Sequence, residues 1–325
     1  MFTSSTFRSI PNTCRIRFHI TLPNSTITRE YICTMASSSS STDHENSIFS
    51  RGSMYEQFVG ETSTRLSAAA LSHLPLSTYT STSRILDSAC GPGIVTKLLL
   101  SPSPLYVSVP GLPLNSPPRV TGIDLSESMI EQYQANASLL DWATAESYVQ
   151  DSQDLSRFPD ATFDAVVMGL AIFTLDDAVK GAKEMYRVLK PGGHALVTTW
   201  KTRRPQELMA GAAESIRPGG AGSRAMDLDP KWLTAEHLAS VMVAGGFKED
   251  NMQLSETAPN WNFGSLGELL AAASSPMWTA QFCRGWSEEE RGRWTEEVAR
   301  QLTEEEKASC ALEMVAHICV ARKEH

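Results

Sequence analysis

The chain has no run of 18 apolar residues, no Cys-x-x-Cys pair, no close pair of histidines and no internal repeat. The first absence removes a membrane-spanning helix. Cys14, Cys33, Cys90, Cys283, Cys310 and Cys319 are scattered. That usage argues against a zinc site or a disulfide framework and fits a reduced, intracellular setting. The histidines support no metal site; His194, at a strand start, and His237, on a helix, read as structural. Basic residues are also short: 28 Lys and Arg against 37 Asp and Glu, a net charge of −9. That balance disfavours nucleic acid or an anionic membrane as the main partner. What remains is ordinary globular composition over 325 residues, enough for one large domain or two small ones.

Acid is missing from residues 1–29, where Arg8, Arg15, Arg17 and Arg29 alternate with Ser and Thr. That is the composition of a mitochondrial transit peptide. The competing reading starts translation at Met35 and treats the upstream part as a tail without structure. Ser37 to Ser41 reads as a linker. The expected organisation is therefore a disordered or targeting-like tail over 1–50 and one domain over 51–325. The expected setting is cytoplasmic, or mitochondrial if residues 1–34 are a genuine transit peptide.

Within 51–325, a helical pattern opens at Tyr55 and continues through Leu66 and Leu74 until Pro75. Strands are predicted at Arg84–Asp87, Arg119–Asp124, Tyr148–Asp151, Phe163–Met168 and Ala195–Trp200. Helices are predicted at Ile94–Leu100, after Ser126 as N-cap, and from Asp176 to Leu189. The proline-rich stretch Ser101 to Pro118 reads as an inserted loop. Strands alternating with helices imply a parallel sheet covered on both faces. Beyond Trp200 the pattern weakens. Helices are expected at Thr234–Ala244, Leu266–Ala273 and Glu288–Leu302, the last with a solvated charged face. A strand is expected at Phe247–Leu254, and the apolar run Glu313–Arg322 suits either a closing strand or a buried helix.

The most informative stretch runs from Ile85 to Gly93 (ILDSACGPG). An apolar strand ends in an acid, a turn with two glycines follows, and a helix opens at Ile94. Glycine lets a backbone approach a ligand closely, and such strand–turn–helix units bind nucleotide-like cofactors at the carboxyl end of a sheet. Asp87, Asp124 and Asp151 all fall at or near strand ends on that side.

Together with Gly122–Met129 (GIDLSESM), Phe158–Asp164 (FPDATFD) and Arg187–Gly193 (RVLKPGG), these residues resemble the class I S-adenosylmethionine-dependent methyltransferases. The likeness is to the small-molecule branch of ubiquinone, menaquinone and secondary-metabolite methyltransferases. It covers about Arg84 to Trp200, with a further match in Ala316 to Lys323. The resemblance implies an α/β, doubly wound, mostly parallel seven-stranded Rossmann-like sheet. Helices would lie on both faces, with a partly helical substrate-covering insertion in 201–310 and covering elements in 51–75.

The resemblance also implies S-adenosyl-L-methionine as cofactor and a small-molecule methyl acceptor as partner. Asp87 and the backbone of Ala89, Gly91 and Gly93 would face the methionyl moiety. Asp124 would accept from both ribose hydroxyls, and Leu125 and Met129 would pack beside the adenine. Asp151 would accept from the adenine amino group, the Ser152 N–H would bind a ring nitrogen, and the backbone near Met168 would hold the ammonium.

Three departures stand out: Ala89 where many relatives have glycine, a long Gly93-to-Asp124 spacing, and Phe173 where histidine is frequent. The last removes a candidate base and makes the mouth apolar. No catalytic base stands out, so rate enhancement would come from positioning and exclusion of water. Trp200, Trp261 and Trp278 fit a flat aromatic pocket when taken together and a core when taken singly. Tyr55 and Phe58 fit either a lid or helix packing. Two rival readings compete. A nicotinamide-dependent dehydrogenase needs a third glycine or alanine, where this chain has Thr96. A non-catalytic protein of the same fold would keep the cofactor motifs and lose turnover.

Overall fold

The computed structural model describes residues 13–22, 25–34, 52–101, 117–220, 222 and 227–324, with side chains from Thr62 onward. The expected linker at Ser37–Ser41 and nearly all of the proline-rich insertion lie outside the described residues, as do the side chains of Tyr55 and Phe58. The chain divides into two compact units, Met1–Asn46 and Ser47–His325. In the first, β1 (Thr13–Leu22) and β2 (Ser25–Thr34) pair antiparallel.

The second unit opens with α1 (Gly52–Leu71). Then follow β3 (Arg84–Ser88), α2 (Ile94–Leu100), β4 (Arg119–Asp124), α3 (Glu127–Leu139), β5 (Ala145–Val149), β6 (Phe163–Gly169), α4 (Ala178–Val188) and β7 (Leu189–Arg203). Next come α5 (Arg204–Ile216), α6 (Ala235–Ala244), β8 (Met252–Thr257), β9 (Trp261–Asn262), α7 (Leu266–Ala273) and α8 (Pro276–Phe282). The chain finishes with α9 (Glu288–Gly292), α10 (Trp294–Gln301), α11 (Glu304–Ser309), β10 (Ala311–Leu312) and β11 (Met314–Arg322).

Seven strands form one sheet in the order β5-β4-β3-β6-β7-β11-β8. The first five are parallel, and β11 runs antiparallel to both β7 and β8. Consecutive strand residues point to opposite faces, and here both faces are apolar. Leu86, Ile123, Val166, Met168 and Val197 pack under α4 and α6. Ile85, Val120, Ala165, Val167 and Leu196 pack under α1 and α2. The apolar strand runs in the sequence are the signature of this double covering.

Several boundaries differ from the sequence reading. The third parallel strand begins at Ala145 and ends before Asp151. It is an edge strand with partly exposed residues, so it carries little apolar signal, and Asp151 belongs to the turn beyond it. Ser126 occupies the N-cap of α3, but its hydroxyl meets Ser128 Oγ at 3.0 Å and caps nothing. Helix α1 ends at Leu71. The expected strand at 247–254 is displaced to Met252–Thr257 by a short 3-10 turn, Glu249–Asn251. The expected helix at 288–302 is broken at Arg293; a capping box, Ser287 with Glu290, starts the first piece.

The segment between β7 and β11 builds a second core. Leu208, Met209, Trp278, Phe282, Trp294 and Val298 cluster there, on α5, α8 and α10. β7 delivers its chain to the carboxyl end of the parallel strands, so α5 starts at that end of the sheet.

Two ties fix the loops below this end. Arg187 on α4 donates to Glu184 Oε1 (2.8 Å) and Oε2 (2.7 Å), Asp160 Oδ1 (2.8 Å), and the carbonyls of Phe158 (2.9 Å) and Leu155 (2.8 Å). Lys323 Nζ donates to the carbonyls of Tyr186 (2.7 Å) and Leu189 (2.8 Å) at the end of α4. Arg187→Ala is expected to lower the melting temperature. A hydrogen bond to a charged group contributes ~1.5–3 kcal/mol, and the loop carbonyls would lose their donor. Lys at the same position should not restore stability, because it cannot fork between a carboxylate and two carbonyls. Equal melting of the Ala variant and the parent would contradict this account.

Candidate active site

From β3 the chain crosses to β4 on one side; β6 and β7 lie on the other. Strand order therefore reverses at the β3–β6 boundary, where an open α/β sheet forms its crevice. The loop after β3 is shaped for close approach. Ala89, Gly91 and Gly93 all have positive φ, at 54°, 53° and 90°, a region that disfavours side chains. Cys90 N–H donates to Ile123 O (2.8 Å), and buried Asn136 donates through Nδ2 to Pro92 O (2.9 Å).

The two loop glycines face different ways. A Cβ on Gly93 would strike Tyr133 at 2.8 Å and Trp142 at 3.0 Å, so that residue packs inward. One on Gly91 would find nothing nearer than Met129 Sδ at 4.0 Å, and one on Gly169 nothing within 4 Å. Both backbones border open space, which is what a cradle for a ligand requires.

The acids are tied to this loop. Asp124 Oδ2 accepts from Gly91 N–H and Oδ1 from Ser126 N–H, both at 2.9 Å. Its carboxyl is raised by burial, against the pull of these two donors. Asp87 is 2% exposed, and its Oδ2 accepts from Thr96 N–H (3.2 Å) and Thr96 Oγ1 (2.8 Å). Burial pushes the Asp87 carboxyl up to about 7; the Thr96 bonds oppose this, and Asp124 adds a smaller push. Asp151 Oδ1 accepts from Gln153 N–H at 2.8 Å, closing the turn after β5. Ser152 Oγ meets Ser88 Oγ at 2.8 Å, which joins this turn to the tip of β3. Burial, with Asp87 and Asp124 near it, raises the thiol of Cys90, in the middle of the loop, well above the usual range, which disfavours the reactive thiolate.

Leu125 stands beside Asp124 with 71% of its surface exposed, while Met129 and Met168 are buried. After β6, Leu170 is held at φ 54° by bonds from its N–H to Thr198 O (3.2 Å) and Thr198 Oγ1 (3.0 Å). Leu66, Trp200, Met314 and Ala316 form a cluster with Leu170, Phe173, Leu233 and Trp261 packed against it. Beside it, buried His317 meets the carbonyl of Leu233 through Nε2 at 3.1 Å. Trp278 lies farther along, in the second core, with its ring 5.7 Å from that of Trp261.

The sequence reading missed Thr96, Gln153, Asn136 and Ser88. Thr96 drew attention only as an absent glycine, yet it holds Asp87. Gln153 binds Asp151 and also accepts from Asp177 N–H at 2.7 Å, coupling the turn to α4. Among the described residues no group of side chains forms a metal site, and no helix is long and apolar enough to cross a membrane.

Residues 86–197 match the family described as "Methyltransferase domain". A demethylmenaquinone methyltransferase of Symbiobacterium thermophilum is 31% identical over 193 residues, 52% of this chain and 70% of that protein. A ubiquinone/menaquinone biosynthesis C-methyltransferase of Geotalea daltonii is 33% identical over 127 residues, 39% of this chain and 49% of that protein. The chain spans about half the length of several curated relatives it matches. Among solved structures, the phosphoethanolamine N-methyltransferase 2 of Haemonchus contortus, in complex with S-adenosyl-L-methionine, aligns with a TM-score of 0.50 at 16% identity. The alignment covers 92% of this chain and 64% of that one and speaks to the fold alone. The sheet and the loop define a Rossmann-like methyltransferase fold. The chain belongs to the class I S-adenosylmethionine-dependent methyltransferases.

Proposed function

We propose that this protein transfers a methyl group from S-adenosylmethionine to a small aromatic acceptor of the quinol or secondary-metabolite kind. The observation that carries the reading is the set of Asp87, Asp124 and Asp151 at or just beyond the ends of three adjacent parallel strands, around a loop whose Gly91 faces open space. In this reading Asp124 takes the ribose hydroxyls, and Leu125 and Met129 flank the adenine. Asp151 and the Ser152 N–H take the adenine edge. Asp87, the Ala89–Gly93 backbone and the backbone after Met168 hold the methionyl end. When bound, the cofactor supplies a methyl group already activated by a sulfonium.

What this chain contributes is position and dryness. Hydration favours a concentrated positive charge, so an apolar mouth helps a reaction that disperses it. The cluster around Phe173 and Trp200 suits that purpose. Acceptors that attack through an electron-rich carbon, or whose hydroxyl ionises readily, fit it best. The segment 201–310 and α1 then act as covering elements. The free thiols of Cys90, Cys283, Cys310 and Cys319 agree with a cytoplasmic setting.

Calorimetric titration with S-adenosylmethionine, S-adenosylhomocysteine and NAD tests the cofactor. Binding of NAD alone would favour the dehydrogenase reading. Transfer of labelled methyl to 1,4-naphthohydroquinone or to a cell-extract component tests turnover; tight cofactor binding with no product from either would favour the non-catalytic reading. Phe173→Ala is expected to alter which acceptors are used while leaving cofactor affinity within about fivefold, since partial burial of apolar surface at a pocket edge contributes about 1 kcal/mol or less. A large loss of cofactor binding in the folded variant would contradict this placement.

A further inference from the structure

We infer that Trp278 donates its indole N–H to an oxygen of the methyl acceptor, which narrows the acceptor class to flat aromatic compounds carrying a carbonyl or comparable oxygen. The inference rests on the methyltransferase reading above. Trp278 is 2% exposed, and its Nε1 has no hydrogen-bond partner. Such a buried donor is destabilising unless something accepts from it. The fold satisfies comparable indoles: Trp294, in the same core, donates to Ala273 O at 3.0 Å, and Trp142 donates to Ser101 Oγ at 2.6 Å.

Two further polar atoms in this layer are also buried and unpartnered. Ser275 sits at the N-cap of α8, yet its hydroxyl makes no cap bond and meets nothing else. Gln206 Oε1 belongs to α5, which packs against α8. None of the three is hydrogen-bonded to another; an indole N–H donates, an amide oxygen accepts and a hydroxyl can do either.

Its place in the fold connects it to the crevice. Trp278 touches Trp261, which packs against the Trp200, Met314, Leu170 and Phe173 cluster at the carboxyl ends of β6 and β7. Aromatic walls favour flat aromatic ligands. An indole N–H can only donate, so the ligand atom facing it must accept. α1 also packs on α8, which makes α1 the element that covers this side.

The test uses the full chain loaded with S-adenosylhomocysteine and two probes of nearly equal shape, 1-acetylnaphthalene and 1-isopropenylnaphthalene. In spectra of the 15N-labelled protein, the ketone should move the Trp278 indole proton downfield, and the hydrocarbon should not. Trp278→Phe should weaken ketone binding about tenfold, the scale of one net hydrogen bond. It should leave hydrocarbon and S-adenosylhomocysteine affinity unchanged. The spectra of the parent protein decide the matter even if the variant folds poorly. An unmoved Trp278 signal, equal affinity for the two probes, or no binding of either overturns the inference. Failure of S-adenosylhomocysteine to bind would instead sink the methyltransferase reading itself.

Discussion

Replacing Asp124 with Ala is expected to weaken S-adenosylmethionine binding by one to two orders of magnitude. A hydrogen bond to a charged acceptor contributes ~1.5–3 kcal/mol, and tenfold in affinity is about 1.4 kcal/mol. Each carboxylate oxygen of Asp124 already takes one backbone N–H, from Gly91 or Ser126, and each keeps a second lone pair for a ribose hydroxyl. The Ala variant therefore loses both the ligand's acceptor and the anchor of the glycine loop. Asp124→Asn separates these effects, since its amide oxygen can still accept from one backbone donor while the charge is gone; its affinity should fall between the two. Titration calorimetry on variants shown by thermal melting to be folded provides the measurement. Unchanged affinity in the Ala variant would reject the ribose assignment.

The second large effect is a pH dependence centred on Asp87. Unfolded, this carboxyl titrates near 3.8; folded, burial carries it up to about 7. Between those values the native state keeps a proton that the unfolded chain has released. Stability is therefore lost as pH rises through the window and is fully present below it. Asp87→Asn removes the titration and retains an oxygen for the Thr96 donors. The variant should gain on the parent between pH 4 and pH 8, by at most about 4 kcal/mol, since each unit corresponds to about 1.36 kcal/mol. Urea unfolding of both proteins across that range measures the gain. A cationic ligand beside Asp87 favours its charged form, so S-adenosylmethionine affinity should rise with pH up to about 7, with proton uptake by the buffer. A pH-independent stability difference and a flat binding curve would together remove Asp87 from this role.

How far the sequence could be read depended on which force shaped each element. Parallel strands covered on both faces leave apolar runs, so β3, β4, β6 and the core of β7 were legible, and with them the sheet ends carrying Asp87 and Asp124. The edge strand β5 is half solvated and its start was missed; Asp151 lies in the turn beyond it. The partners of these acids were hidden. Thr96, Asn136 and Gln153 are ordinary polar residues whose purpose appears only when the loop folds back on them. The helical segment after β7 was placed but not resolved, because its core of Trp278, Phe282 and Trp294 is assembled from short helices with no sustained periodicity.

The sheet order carries a consequence for assembly. β8 is made before residues 258–313, yet the strand that seats it, β11, comes after them and lies between β7 and β8. Until β11 arrives, β8 has no hydrogen-bonded neighbour in the sheet, and β7 presents an open edge. In assembly during synthesis, β11 would have to insert between β7 and β8, both of which are made before it. A nascent chain stalled before Met314 would expose a sticky border to chaperones or to other stalled copies.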